Sequence, residues 1–427
     1  MTRKMKDSGV DWLGQIPENW NMVRAKNIFT NHKNIVGDRE AEYERLSLTL
    51  NGVLKRPKDD SKGLQSESFS TYQILNEKEL VFKMIDLANV NTSRVGYSSY
   101  TGIVSPVYII FNNQKYTRYG YYYFYNMWQR AIFNQLGNNG VRSALNASDM
   151  LNLPFPQVSE EEASKIADFL DEKVREIDVC ILQTKKSIDE YKKYKKAVIT
   201  EVVTKGLDRN ASLQESGIEW IGQIPKDFQC VKLRHCVYKI GDVDHYMPET
   251  KEEGIPYVMT GDLQEKVSDI YFDGCKMISE EDYSELAKKI VANQGDVILA
   301  RYATIGTVSY VDIDKKFIVS YSCVVIKPKE NLSGKYLFYY SKSSAFEEEL
   351  KKYTNSNTQG NVGIDSLYQA KIVLPIIEKQ EEIVDYLDTK CAEIDSLISK
   401  KEAIIQEMEA YKKSLIYEYV TGKKGVL

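Results

Sequence analysis

The chain has 427 residues, 43% of them hydrophobic, and 57 Lys and Arg against 61 Asp and Glu give a formal charge of −4. That length allows two to three domains at roughly 100 to 200 residues each, and the near-neutral balance excludes nucleic-acid binding by bulk charge, so such binding must rest on local patches or a partner. No apolar run reaches the ~18 residues of a membrane span, MTRKMKDSGV lacks a signal peptide's apolar core, and six singly placed cysteines with only three histidines favour reduced thiols over zinc; a cytoplasmic protein is expected.

The first signal along the chain closes an N-terminal segment, residues 1–20: S-G-V-D-W-L-G-Q-I-P-E-N-W, Ser8 to Trp20. It returns at Ser216 to Phe228 as S-G-I-E-W-I-G-Q-I-P-K-D-F. Trp12 and Trp220 read as anchors packed on a neighbouring domain, the usual use of a large aromatic side chain. Residues 21–156 form a mixed domain with strand-like runs at Leu80 to Met84 and Gly102 to Phe111, then a helix rich in aromatics at Gly120 to Gln135. Tyr121, Tyr122, Tyr123 and Tyr125 on that helix are expected to pack on the sheet, with base stacking as the rival role. Between Asn21 and Phe155 there are 16 Lys and Arg against 11 Asp and Glu, a net of +5 that suits a phosphate surface. The loop Gly137 to Asn146 carries Asn139 and Arg142, donors of the kind that read base edges.

Residues 157–206 contain a long helix. Ser159 with Glu162 fits a capping box, Gly206 is placed to stop the helix, and Leu170, Val174, Ile177, Ile181, Ile188, Tyr191, Val198 and Val202 recur in three- and four-residue steps as a coiled-coil seam. Adding 217 lands these on Leu387, Cys391, Ile394, Ile398, Ile405, Met408, Leu415 and Tyr419 of a second long helix within residues 376–421. Roughly 36 seam residues at about 1.5 Å each make a rod of ~54 Å. Between the helices lie a linker with the repeated motif, 207–228, and a second mixed domain, 229–375. That domain has strand-like runs at Asp296 to Ala300 and Phe317 to Ile326, a Ser279-capped helix, and an aromatic helix at Gly334 to Leu350. A loop at Thr354 to Gly363 takes the place of the first domain's Asn/Gly loop. From Cys230 to Val373 the count is 18 bases against 21 acids, a net of −3, so DNA binding here would need selected residues and a phosphate contribution from elsewhere.

The motif and the helix match closely between copies while the intervening domains share only an outline. Thirteen residues lie outside Ser8 to Thr421 and eleven between Thr204 and Ser216, so the chain behaves as though circular. The expected fold is α+β: two mixed α/β domains in pseudo-twofold tandem repeat, joined by two long antiparallel coiled-coil helices. Such symmetry matches a duplex, whose strands are related by twofold axes.

These residues resemble the DNA-specificity (S) subunits of type I restriction-modification systems over essentially the full chain. The resemblance is carried by the Ser8 and Ser216 motifs, G-I-V-S-P-V-Y at Gly102 to Tyr108, G-D-V-I-L-A-R-Y-A-T-I-G at Gly295 to Gly306, and the proline-then-helix runs from Pro156 and Pro375. It implies two target-recognition domains, each reading half of a bipartite sequence in double-stranded DNA, and helices that fix the spacer and bind two methyltransferase (modification) subunits. It also implies restriction subunits, and S-adenosylmethionine, ATP and Mg used by the complex with none bound by this chain. F-K-M-I-D-L-A-N-V at Phe82 to Val90 tracks the second domain's A-R-Y-A-T-I-G only loosely.

The residues themselves offer no catalyst. There is no N-P-P-Y type motif, no Pro-Pro and no phosphate-binding loop, and Asp171-Glu172-Lys173, the one nuclease-like string, reads as a charged solvent face of the long helix. Lysines 192, 193, 195 and 196 likewise read as a solvated face, with a phosphate or partner contact as the rival. Candidate base contacts are Lys83, Arg94, Asn139 and Arg142, then Arg301, Thr304, Asn357, Gln359 and Asn361, because Arg pairs with guanine edges and Asn or Gln with adenine edges. Three other classes stay open: a helical scaffold whose domains bind protein, a specificity subunit of a related methyltransferase or nuclease system without ATP-driven cleavage, and a self-contained nuclease using Asp171.

Overall fold

The computed structural model describes residues 3–60, 68–87, 93–136, 144–301, 306–353 and 362–426. The chain divides into two compact units, Met1–Lys185 with Ala403–Leu427, and Lys186–Glu402.

In the first unit a hairpin of Met5–Asp7 and Gln15–Pro17 holds the repeated motif, and Asn21–Arg24 pairs antiparallel with Pro154–Gln157. Between those two strands lies a four-stranded antiparallel sheet in the order Thr30–Asn31, Ile109–Asn112, Leu80–Phe82, Val95–Tyr97. Its central strands are apolar on both faces because successive side chains point opposite ways. Leu80, Phe82 and Phe111 enter the larger core with the aromatic helix, and Val81 and Ile110 enter a smaller one with Leu46, Leu48 and Val53.

The aromatic run forms α1 (Thr117–Gln129) and α2 (Ile132–Leu136) rather than one helix; Ala131, with φ +55°, breaks the ladder between them. Gly120 lets α1 lie on the sheet, since a Cβ there would stand 2.7 Å from the Phe29 ring. After α3 (Ala147–Asn152), capped by Asn146, comes α4 (Glu160–Lys205). Ser159 accepts from the Glu162 amide, but the Glu162 carboxylate takes the Trp20 indole at 3.0 Å and Arg3 at 2.6 Å. Only half of the expected capping box is present, because those partners engage the carboxylate.

The second unit repeats the frame. Leu213–Glu215 pairs with Gln223–Pro225, Gln229–Lys232 with Lys371–Leu374, and a four-stranded sheet runs Val237–Gly241, Cys323–Pro328, Val297–Ala300, Val308–Tyr310, the same order as before. What fills the frame differs. The first unit adds the hairpin Leu46–Thr49 with Gly52–Lys55 and the pair Gln73–Leu75 with Gly102–Val104. In the second, the addition is a three-stranded sheet of Lys276–Ile278, Ile255–Val258 and Ile318–Val319, the last pairing parallel, with α5 (Glu280–Ala287) capped by Ser279. The second aromatic helix is also two, α6 (Gly334–Ser341) and α7 (Ser344–Lys351). Ser343 parts them by accepting from the Phe346 amide at 3.2 Å, which starts a new helix. Then follow α8 (Ile364–Gln369) and α9 (Ile377–Val420).

The long helices run antiparallel. In the first unit the Phe169 and Tyr419 rings lie 4.3 Å apart and Lys412 meets Asp178 at 2.6 Å; in the second, Lys195 meets Asp395 at 2.7 Å and Lys401 sits over the Tyr191 ring at 5.6 Å. Numbers rise on one helix as they fall on the other. Leu170, Ile181, Ile188, Leu387, Ile394 and Ile398 are buried, while Ile177 and Ile405 are partly covered. Gly206 ends α4 at φ +70° with its amide on the Val202 carbonyl. Both chain ends belong to the first unit: the Tyr417 hydroxyl donates to the Leu13 carbonyl at 3.3 Å, and Gly422 lies against Pro17 and Trp20.

Candidate nucleic-acid interface

Each unit grips the long helices through one face of its aromatic helix. Arg118 pairs with Asp168 at 2.7 Å and with Asp171, and the Tyr122 hydroxyl donates to Asp171 at 2.7 Å. Shifting by 217 gives the second unit's contacts, Lys335 to Asp388 and the Tyr339 hydroxyl to Asp388 at 2.7 Å. Burial first, then this hydrogen bond, raise the Tyr122 and Tyr339 hydroxyl pKa values far above the ordinary 10. Asp171 is therefore a fastening point rather than a bare solvent-face residue. Among the described residues no group of His, Cys, Asp or Glu is arranged to hold a metal, and no helix is long and apolar enough to cross a membrane. The lysine run is also partly fastened: Lys195 meets Asp395 and, at 3.6 Å, Glu265, and Lys196 pairs with Glu347.

Just past Leu80–Phe82 in the first unit and Val297–Ala300 in the second, the two units make a matching backbone contact. In the first unit the Leu145 amide donates to the Met84 carbonyl at 2.9 Å, and in the second the Val362 amide donates to the Arg301 carbonyl at 3.3 Å. These pairs are again 217 apart. Met84 and Arg301 thus occupy corresponding positions, methionine in one copy and arginine in the other.

Arg94 is 1% exposed and donates to the Lys83 carbonyl at 3.4 Å, the Ile85 carbonyl at 3.2 Å and the Asp86 carbonyl. It props the loop that carries Lys83, whose ammonium pKa is lowered by burial and then by Arg94. Beside this loop runs a groove lined by His32, Lys33, Ile85, Val107 and Asn146. His32 lies 2.7 Å from Glu79, which is 3% exposed and also receives Asn112 at 3.0 Å and the Asn76 amide at 2.8 Å. In the second unit Asp296 takes the place of Glu79, and Lys327 neutralises it at 2.6 Å.

Arg301 is 6% exposed and pairs with Asp242. Its Nη2 also lies 3.3 Å from His245 Nε2, and the His245 ring stacks on Tyr321 at 4.7 Å. Close by, the Thr260 and Ser322 hydroxyls lie 2.8 Å apart and those of Ser320 and Ser322 2.6 Å, a surface of rotatable donors and acceptors. Asp242, His245, Thr260, Ser320 and Ser322 escaped sequence reading because strands far apart in the chain bring them together. Asn139, Arg142, Thr304, Asn357, Gln359 and Asn361 lie outside the described residues.

Residues 225–407 match the family described as the type I restriction modification DNA specificity domain. The type I restriction enzyme MjaVIII specificity subunit of Methanocaldococcus jannaschii is 26% identical over 422 residues, covering 96% of this chain and 94% of the relative. The putative type I restriction enzyme MjaX specificity subunit of the same organism is 26% identical over 301 residues, 69% of this chain and 65% of the relative. A solved chain from work on complex assembly and conformational transition of the type I R-M system superposes with a TM-score of 0.68 at 14% identity, covering 95% of this chain and 98% of its own; it is similar in fold.

Proposed function

We propose, from the match of residues 225–407 to the type I restriction modification DNA specificity domain, that this chain is the non-catalytic DNA-reading subunit of a type I complex and recognises a bipartite target, one domain per half. The observation that carries this is the pair of identically ordered sheets, each fastened through matching Tyr and Arg or Lys contacts to a long helix but completed by different added strands. A constant frame with unlike inserts suits a common geometry and separate specificities.

In this reading the loop ends of the two sheets enter the major groove. Arg94 and Arg301 hold their loops in shape, and Lys83, Asn139, Arg142, Thr304, Asn357, Gln359 and Asn361 supply the edge contacts. The paired helices set the spacer and dock two methyltransferase subunits, with restriction subunits joining them. S-adenosylmethionine, ATP and Mg serve those partners, which carry the chemistry.

A methylation map of cells expressing the chain with its modification partner tests the proposal. One split motif with modified adenines in both halves is the expected result; an uninterrupted motif, or none, overturns it.

A further inference from the structure

The second unit contains a lysine-lined cavity that Gly306, just past the Arg301 segment, also borders. Lys196 of α4, Lys342 at the α6–α7 junction and Lys351 of α7 line one cavity of about 410 Å³ with Ser341 and Ser343, far more room than the ~30 Å³ of a single water. Ser341 is 5% exposed, and its hydroxyl has no hydrogen-bond partner among the described residues. Buried polar groups are rarely left so without a reason. The Lys342 side chain is 18% exposed and pairs with Glu265, which also receives Lys195 at 3.6 Å. Two buried or half-buried ammonium groups therefore share one carboxylate. The start of α7 adds partial positive charge from its first turn. Glu347 is the carboxylate among the lining residues, and it holds Lys196 and, at 3.4 Å, Lys351.

The first unit has no such cavity chemistry at the matching positions. Moving back by 217, Ser341 becomes Phe124, Lys342 becomes Tyr125 and Glu347 becomes Arg130, and Tyr125 packs on Trp128 at 5.3 Å. The difference follows charge. Asn21 to Phe155 carries 16 bases and 11 acids, whereas Cys230 to Val373 carries 18 and 21. A domain with an acidic balance needs a local cation cluster to hold a phosphate.

We propose that Ser341, Lys342, Lys196 and Lys351 form a phosphate-binding pocket that clamps the backbone of the bound duplex beside the second domain, positioning the strand without reading its bases. This rests on the DNA-reading assignment above. An ammonium contact releases about one counterion, while a hydroxyl contact releases none; the two residue types therefore separate in their salt dependence.

The test uses the full-length chain, a random-sequence duplex and inorganic phosphate, with affinity measured across a range of KCl. Lys342→Gln is expected to weaken binding several-fold on every duplex and reduce the slope of log affinity against log salt by about 0.9. Ser341→Ala is expected to weaken binding about two- to fivefold with the slope unchanged, and it guards against misfolding of the lysine variant. Inorganic phosphate should compete with the duplex beyond its ionic-strength effect in the unmodified chain and lose that excess in Lys342→Gln. Unchanged slope and affinity in both variants, with the unmodified chain binding normally, overturn the pocket and leave the DNA assignment standing. Loss of phosphate competition with an unchanged slope overturns the duplex as occupant in favour of free phosphate. Failure of the unmodified chain to bind any duplex overturns the DNA assignment itself.

Discussion

The Tyr119 hydroxyl donates to the Val420 carbonyl at 2.8 Å across 301 residues of chain, and the Tyr336 hydroxyl reaches the Val203 carbonyl at 2.9 Å. Both tyrosines and both valines are 217 apart. Each aromatic helix thus satisfies a carbonyl in the last turn of the long helix that started beside the other domain, where no intrahelical amide is available. Burial raises the Tyr119 and Tyr336 hydroxyls well above the ordinary 10, so both remain donors throughout the working range.

Tyr119→Phe should cost the first unit about 1–3 kcal/mol, because a buried carbonyl loses its donor. Urea denaturation of the variant checks this. A midpoint matching the unsubstituted chain would mean that water replaces the hydroxyl.

Asp171→Ala should destabilise the same unit by about 1–2 kcal/mol, mostly through the stranded Tyr122 hydroxyl, since the Arg118 contact is part-exposed. The isolated chain should show no Mg-dependent DNA cleavage either before or after the change. Cleavage abolished by the substitution would restore the nuclease reading.

Stability should fall in acid through the lysine-held carboxylates of the second unit. Burial acts to raise the Glu265 carboxyl, but Lys342 and Lys195 outweigh it and hold the group below the ordinary 4.5. The Lys196 hydrogen bond does the same for Glu347. The folded state therefore binds fewer protons than the unfolded one, and the contribution is present above 4.5 and lost as pH falls through the lower folded values. A Glu265→Gln, Glu347→Gln double variant should show a flatter urea midpoint between about pH 5 and pH 3 than the unsubstituted chain.

Arg142→Ala or Gln359→Ala should cost ~1 to 3 kcal/mol and relax base choice in one half of the target only. Methylation mapping of each variant reads this directly. An equal loss on all sequences would assign them to the phosphates.

Insertion of one helical turn into a single long helix should alter the preferred spacer or prevent assembly, with both half-sites unchanged. Selection from randomised duplexes measures it, and a changed half-site would refute the division of labour between helices and domains.

The helices, their phase and the repeat were legible because a seam period and a constant offset are local properties of sequence. The same offset extends through Arg118, Tyr119 and Tyr122 to Lys335, Tyr336 and Tyr339, a signal that would have identified the grip on the helices in advance. The break at Ala131 was not legible, because the residues around it continue the helical pattern and only the backbone, at φ +55°, parts the helices; the break at Ser343 had a signal in its serine cap. The arginines were expected to meet base edges, whereas in the structure Arg94 donates to carbonyls and Arg301 pairs with Asp242. The partners that pull them inward come from other strands, and no spacing rule announces them.

In the first unit, Asn21–Arg24 lies beside Pro154–Gln157, and in the second Gln229–Lys232 lies beside Lys371–Leu374. The entrance and exit of each intervening segment are thereby stitched together at the frame, so everything between them is a cassette. Recombination at those two strands could import a foreign insert, provided that its aromatic helix kept the tyrosine contacts, without disturbing either rod. If the domains read DNA as proposed, new specificity would then arise by exchange of whole modules rather than by slow retouching of single side chains.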